Sequence, residues 1–204
     1  MYIGSYQLSN NLIVAPMAGV TDRPFRTLCK YFGAGHAVSE MMTADKTLRM
    51  SKKSLYRANF EGELAPISAQ IAGSDPEQLA EAARYQVANG AQIVDINMGC
   101  PDKSIEKQGA GAAMIKNPKL AQQIIKAAQE GSGLPVSVKT RIGYNKVEWK
   151  EWLPYILEMK PAALTVHLRT RKEMSLVPAH WEIMPEIVEF VRTKNKELGN
   201  ETMP

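Results

Sequence analysis

One of the two cysteines of this 204-residue chain, Cys100, stands between Gly99 and Pro101 in the segment DINMGCPDKS, Asp95 to Ser104. The apolar run through Ile93 and Val94 ends there in an amide, a glycine, a thiol and a proline, as a strand does where it leaves a core. A thiol at such an exit is accessible, and the roles of nucleophile, redox centre and acid are all open to it. No histidine partner is identifiable from the sequence, and no second cysteine lies nearby to resolve a sulfenate. A free thiol with a pKa of about 8.5 is mostly protonated at neutral pH, so proton donation is the simplest role. Cys29, within the pattern FRTLC, reads instead as a structural core thiol.

Other polar side chains close apolar runs in the same way. Lys139 and Arg141, in VSVKTRIG, lie on one side of a strand end, where an ammonium either stabilises an anion or forms a rim ion pair. Gln70, ending PISAQ, offers a donor and an acceptor suited to a heterocycle edge or to neighbouring backbone. His167, in LTVHLRTR, donates to an oxygen or merely satisfies the core. The glycines of QGAGAAM, Gln108 to Met114, lack the third glycine of a dinucleotide fingerprint and follow no strand directly, so they read as a loop packed tightly onto the fold. Taken together, a planar-ring reader, an anion-stabilising lysine and a protonated thiol fit a flavin. Hydride leaving flavin N5 leaves negative charge near N1 and O2, where Lys139 helps. A hydride added to a conjugated C=C also needs a proton at the other carbon, which Cys100 supplies.

The elements that must hold these groups alternate. Strands are predicted over Leu12–Ala15, Ala37–Glu40, Pro66–Ile71, Ile93–Asn97, Val136–Lys139 and Ala163–His167, each apolar on both faces as in a buried parallel sheet. Helices are predicted over Arg23–Phe32, Pro76–Asn89, Pro118–Glu130, Val147–Met159 and Glu182–Glu197. Asp75-Pro76 and Asn117-Pro118 have the form of an N-cap followed by proline in the first turn, and Gly90 closes the helix that Asp75 opens. Residues 41–65 break the rhythm and read as a long loop with a short helix, Asp45 to Leu55.

Six βα units in sequence favour a parallel α/β fold, either a TIM (β/α)₈ barrel or a doubly wound sheet. Functional-looking groups end nearly every strand: Pro16-Met17, Ser39-Glu40, Gln70, Asn97 with Cys100, Lys139 with Arg141, and His167 with Arg169. A barrel gathers all those ends around one mouth, whereas an open sheet spreads them along an edge, so the barrel is expected. Six strands do not close eight, and the expectation is an incomplete barrel domain over residues 1–204, lacking its last strands.

The composition is that of a soluble globular chain: 45% hydrophobic, 23% charged and net +4. No apolar run reaches the roughly 20 residues of a membrane span, no signal peptide is legible, and two cysteines suit a reducing cytoplasm. The three histidines, His36, His167 and His180, show no metal-site spacing. Residues 1–60 carry eight Lys/Arg (Arg23, Arg26, Lys30, Lys46, Arg49, Lys52, Lys53 and Arg57) against three acids (Asp22, Glu40 and Asp45), a surface suited to a polyanion or simply to water.

Seven ordered motifs carry a family resemblance: APMAGVTDRPFR (Ala15–Arg26), SEMM (Ser39–Met42), AQIAG (Ala69–Gly73), DINMGCP (Asp95–Pro101), GAGAAM (Gly109–Met114), VKTRIG (Val138–Gly143) and VHLRTR (Val166–Arg171). In one register from residue 1 to about 190, the chain resembles the tRNA-dihydrouridine synthases, and its SEMM element most resembles their bacterial B-type subgroup. The resemblance implies an FMN enzyme that uses NADPH to reduce the C5–C6 bond of particular uridines in tRNA. It implies that Pro16, Met17 and Ala18 line the flavin, that Gln70 and Lys139 bind its polar edge, and that His167 lies near it. Asn97 would contact uracil or flavin, Cys100 would protonate C5, and Arg141 and Arg171 would contact substrate or phosphate. The basic loop of residues 46–57 would face tRNA, whose target base must leave its stack.

The family usually has glycine or alanine where this chain has Leu168, which either crowds the flavin or points outward. The family's FMN phosphate site comes from the loops after strands 7 and 8, and a helical tRNA-binding domain follows. Neither is in this sequence, so weak or absent FMN binding by the 204 residues alone is expected. A monomer is expected. The rival readings are a dihydroorotate-dehydrogenase-like FMN barrel and a catalytically inactive RNA-binding fragment.

Overall fold

The computed structural model describes residues 1–204, the side chain of Lys53 excepted. The chain opens with an antiparallel hairpin, β1 (Tyr2–Ile3) and β2 (Tyr6–Gln7). Then follow β3 (Ile13–Val14), α1 (Arg23–Tyr31), β4 (His36–Ala37), β5 (Met42–Thr43), α2 (Lys46–Arg49) and α3 (Lys52–Arg57). The central units are β6 (Ser68–Ala72), α4 (Pro76–Ala88), β7 (Ile93–Met98), α5 (Lys103–Lys107), a 3₁₀ turn over Gly111–Lys116, and α6 (Pro118–Ser132). The chain finishes with β8 (Val136–Arg141), α7 (Trp149–Leu157), β9 (Ala163–His167), a 3₁₀ turn over Trp181–Ile183, and α8 (Met184–Leu198).

All the pairings after the hairpin are parallel. β3 pairs with β4, a bridge from Val38 to Ser68 joins β4 to β6, and β6, β7, β8 and β9 follow in order. β5 pairs with the far end of β6, so residues 36–43 act as one interrupted strand between β3 and β6. Met203 bridges the outer edge of β9 at Ala163, again in parallel. Strand order thus follows chain order without the reversal of a doubly wound sheet, and α4, α6, α7 and α8 pack successively along one face. The result is a curved, singly wound arc of a (β/α) barrel, open between β3 and Met203. It has the expected α/β fold class.

Two parities of side chain divide the arc. Val94, Ile96 and Met98 of β7, Val136 and Val138 of β8, and Leu164 of β9 face outward into one buried core with Leu79 and Ala83 of α4, Ile124 and Ile125 of α6, and Trp152, Leu153 and Ile156 of α7. Each such aliphatic side chain stabilises the fold by about 1.5–3 kcal/mol on burial. The other parity carries Gln70, Asp95, Asn97, Ser137, Lys139, Arg141 and His167 on the concave side. The expectation of strands apolar on both faces is therefore corrected: the helix-covered face is apolar but for Thr140, which accepts from Trp152 Nε1, and the concave face is largely polar.

Local capping follows the sequence. Asp75 accepts from Gln78 N and Asn117 from Leu120 N, each with proline next in the chain, and Gly133 ends α6 in the left-handed conformation. In residues 41–65 the single predicted helix is two, broken at Met50-Ser51, because Asp45 and Ser51 each cap a separate start. The unpredicted hairpin seats Ile3 and Leu8 on Ile93 and Ala163, closing the N-terminal end of the arc.

Candidate active site

Strand register brings the polar parity together. Gln70 stands opposite Asp95, Asp95 opposite Ser137, Asn97 opposite Lys139, and Arg141 opposite His167. At the C-terminal strand ends these groups border a cavity of 340 Å³. It adjoins a larger one of 830 Å³ on the concave side, and Ala15, Pro16, Lys139 and His167 line both.

Cys100 lies on the wall of the smaller cavity with its backbone held on both sides. Asn97 Oδ1 accepts from Cys100 N at 2.8 Å and from Gly99 N at 3.1 Å. Ala112 N donates to the Cys100 carbonyl at 2.9 Å. The glycine-rich loop makes that second contact possible. Gly111 has φ +60°, and a Cβ there would lie 2.7 Å from the Cys100 carbonyl oxygen. The segment read as a tightly packed loop is the support beneath the thiol. Burial pushes the Cys100 thiol up, ahead of the Asp102 backbone N–H and the Arg141 charge that pull it down and of the Asp102 and Glu106 carboxylates that act with burial. The thiol is therefore a held proton rather than a nucleophilic anion at neutral pH.

Behind the thiol, Gln70 Nε2 donates to Asp95 Oδ2 at 2.7 Å and Asn97 Nδ2 donates to Gln70 Oε1 at 2.9 Å. Lys139 is largely buried, and among the described residues its ammonium has no hydrogen bond or ion pair. Burial pulls it down, with the Asp95 charge opposing. His167 is lowered to about 4, by burial first and then by Arg141, Lys139 and Arg169, so it is a neutral imidazole at physiological pH. Its Nδ1 is buried without a partner.

Of the residues picked from sequence, Pro16, Met17 and Ala18 line the cavity, as do Gln70 and Asn97. Cys100, Lys139, Arg141 and His167 do so too. Arg141, however, spends its guanidinium on carbonyls: Nε donates to Gly99 O at 2.7 Å and Nη1 to Thr170 O at 3.1 Å and Met174 O at 3.0 Å. It ties the β7 and β9 exit loops together. Arg171 stands apart from these residues. It is not on the cavity; its Nε donates to Glu106 Oε2 at 2.8 Å, and the guanidinium stacks on Tyr144 with a centroid distance of 5.3 Å. Leu168 is packed in the main core and is not part of the Cys100 cavity wall. Met41 and Thr140 line the cavity unpredicted. Asp95 and Ser137 behind it were also missed as site residues, because only strand register shows which polar groups meet.

The expected basic face is partly neutralised. Arg49 pairs with Glu81 at 2.8 Å, Lys46 with Glu81 at 3.7 Å, and Arg57 with Glu40 at 3.1 Å.

The family profile described as dihydrouridine synthase (Dus) matches residues 13–194. The chain belongs to the dihydrouridine synthase family. Among the relatives, the tRNA-dihydrouridine synthase B of Vibrio parahaemolyticus is 56% identical over 145 residues, covering 71% of this chain and 45% of the relative. The protein of that name from Pseudomonas putida is 42% identical over 205 residues, 99% of this chain and 60% of the relative. That of Xanthomonas axonopodis pv. citri is 44% identical over 191 residues, 92% of this chain and 57% of the relative. These names agree with the bacterial B-type resemblance read from SEMM. The chain spans about half the length of the curated relatives it matches. Among solved structures, a variant of NCR from Zymomonas mobilis has a TM-score of 0.60 at 15% identity, covering 93% of this chain and 74% of that one. The 6-hydroxypseudooxynicotine amine oxidase of Pseudomonas geniculata has a TM-score of 0.60 at 12% identity, covering 83% of this chain and 37% of that one. Both are likenesses of fold.

Proposed function

We propose that residues 1–204 form the flavin-binding barrel part of an enzyme that reduces the C5–C6 double bond of specific tRNA uridines to dihydrouridine. NADPH is the reductant, and the setting is a cytoplasmic monomer. The observation that carries this reading is a half-buried free thiol on the same cavity wall as an ammonium that has no partner among the described residues.

The cavity suits FMN on its own chemistry. Ala15, Pro16, Met17 and Ala18 offer an apolar wall for a ring face. Lys139 Nζ and the second hydrogen of Gln70 Nε2 are the donors left for an electron-rich ring edge, and the unpartnered His167 Nδ1 lies close by. FMN, held by these residues and reduced, would supply the hydride for C6 of the uracil. Lys139 stabilises negative charge at the ring edge, Asn97 and Arg141 hold the loop that carries the thiol, and Cys100 Sγ gives its proton to C5. Cytoplasmic placement is supported by two unpaired cysteines. Among the described residues no helix is long and apolar enough to cross a membrane.

The test is Cys100→Ala in the chain completed by the C-terminal portion of the Pseudomonas putida relative. Loss of dihydrouridine in mass-mapped tRNA, with NADPH-driven flavin reduction intact, is the expected result. Unchanged dihydrouridine rejects the acid role, and turnover of free dihydroorotate without tRNA points to the small-pyrimidine alternative.

A further inference from the structure

The hydrogen bonds behind the cavity form one continuous chain. Ser137 Oγ donates to Asp95 Oδ1 at 2.5 Å, and Gln70 Nε2 to Asp95 Oδ2 at 2.7 Å. Asn97 Nδ2 donates to Gln70 Oε1 at 2.9 Å, and Asn97 Oδ1 accepts from Gly99 N at 3.1 Å and Cys100 N at 2.8 Å. Burial pushes the Asp95 carboxyl up while the Ser137 and Gln70 hydrogen bonds and the Lys139 charge hold it down, and both its oxygens accept; at the other end a backbone N–H only donates. The amides of Gln70 and Asn97 have no such bias and exchange oxygen for nitrogen by a half-turn. Between those ends only one orientation of each amide pairs every donor with an acceptor. Asp95 is 3% and Gln70 1% exposed, so water cannot rescue an inverted contact. Two like groups facing each other there leave a buried polar atom unpaired.

We propose that Asp95 is a positioning residue whose carboxylate sets the direction of the Gln70 and Asn97 amides and through them holds the backbone of Cys100 in place. What the thiol then does rests on the dihydrouridine synthase reading, but the relay itself does not. Asp95 touches neither Asn97 nor Cys100 in the described hydrogen bonds; its influence passes through Gln70. The same arrangement leaves Gln70 presenting a hydrogen, not a lone pair, for any further partner of its nitrogen. The carboxylate also lies near Lys139, whose charge it offsets within the arc.

The relay predicts a rescue that simple packing does not. Asp95→Asn keeps the volume and still pairs, its oxygen accepting from Gln70 and its nitrogen donating to the Ser137 hydroxyl, so exchange at Gly99 and Cys100 stays within about twofold of the parent. Asn97→Asp keeps an acceptor for the two N–H groups but turns an oxygen toward Gln70 Oε1. That change alone breaks the chain at one contact, and amide hydrogen exchange at Gly99 and Cys100 accelerates about tenfold, the equivalent of one lost hydrogen bond. Combining them moves the carboxylate to the other end, where its register partner is Lys139. Gln70 turns over, every contact pairs again, and net charge is unchanged.

Exchange at both amides, followed by NMR in the 204-residue chain, should then return to within about twofold of the parent. Alkylation of Cys100 by iodoacetamide in a Cys29→Ser background should follow the same pattern, faster in Asn97→Asp and restored in the double. A double variant that exchanges as fast as Asn97→Asp alone, or faster, overturns the relay. A double variant that fails to fold also overturns it, as does Asn97→Asp exchanging within about twofold of the parent. An Asn97→Asp variant that fails to fold beside a double variant that does fold supports it. None of these readouts uses dihydrouridine formation, so failure of the relay and failure of the functional reading are separable.

Discussion

A thiol serves as an acid only where its surroundings disfavour the anion, and at Cys100 burial does so ahead of two carboxylates. The rate of Cys100 alkylation should therefore rise with a midpoint above the ordinary thiol range. A midpoint below about 7.5, where activated thiolates lie, would leave the acid role without support. His36 supplies a second titration. It is 0% exposed with neither ring nitrogen partnered, and burial, assisted by Lys30, lowers it to about 4. Between its ordinary value of 6.5 and about 4 the unfolded chain binds the proton that folded His36 refuses. Stability therefore falls as pH falls through that window, by about 1.4 kcal/mol per pH unit for this residue. Urea unfolding at stepped pH should show the slope, and His36→Leu should flatten it by one proton's worth. An unchanged slope in that variant means the histidine is hydrated in the fold.

At the scale of elements, α1 is inverted with respect to its pattern. Its one buried residue is Arg26, while Tyr31 is 80% and Leu28 53% exposed. Arg26 grips Glu63 through two hydrogen bonds of 2.9 and 2.6 Å, with the two side chains 2% and 1% exposed. Lys30 stands 3.7 Å from the same carboxylate. Removing Arg26 strands a buried charge, so Arg26→Ala should cost about 3–5 kcal/mol in denaturant unfolding, partly recovered by adding Glu63→Gln. Equal losses in the single and double variants would place the cost in packing rather than in charge.

The helix was legible in the sequence, but its buried face was not, because an apolar stripe gives phase without saying what it packs against. By contrast β7, β8 and β9 came within two residues of their predicted ends, and Asp75-Pro76 and Asn117-Pro118 marked two helix starts outright. The hairpin escaped because two-residue strands carry no period. Within the site, strand-end residues were legible as a class, since a parallel arc sends them to one mouth. Asp95, one turn of the pleat below, looked like an ordinary strand residue. The partner of Arg171, Glu106, is 65 residues away and invisible to any local pattern.

Over the whole molecule the surplus of cations in residues 1–60 overstates the positive surface. Glu63 and Glu81, outside that stretch, absorb Arg26, Lys30, Lys46 and Arg49, while Glu40 within it takes Arg57. Lys52 is exposed and has no ion pair among the described residues, whereas Arg49 is 3% exposed and lies over the Tyr85 ring. Two lysine-or-arginine positions on adjoining short helices should then behave oppositely. Lys52→Ala should weaken tRNA binding and reduce the steepness of log K against log salt by about 0.9, the share of one released counterion, with stability unchanged. Arg49→Ala should leave that slope alone and lower stability by about 1–3 kcal/mol through lost packing and a lost pair. Titrations of tRNA at several salt concentrations, beside urea unfolding of the same variants, separate the two. If both substitutions flatten the salt dependence equally, Arg49 leaves Glu81 when tRNA arrives, and the ion pairs of this face are a resting arrangement that a stronger polyanion displaces.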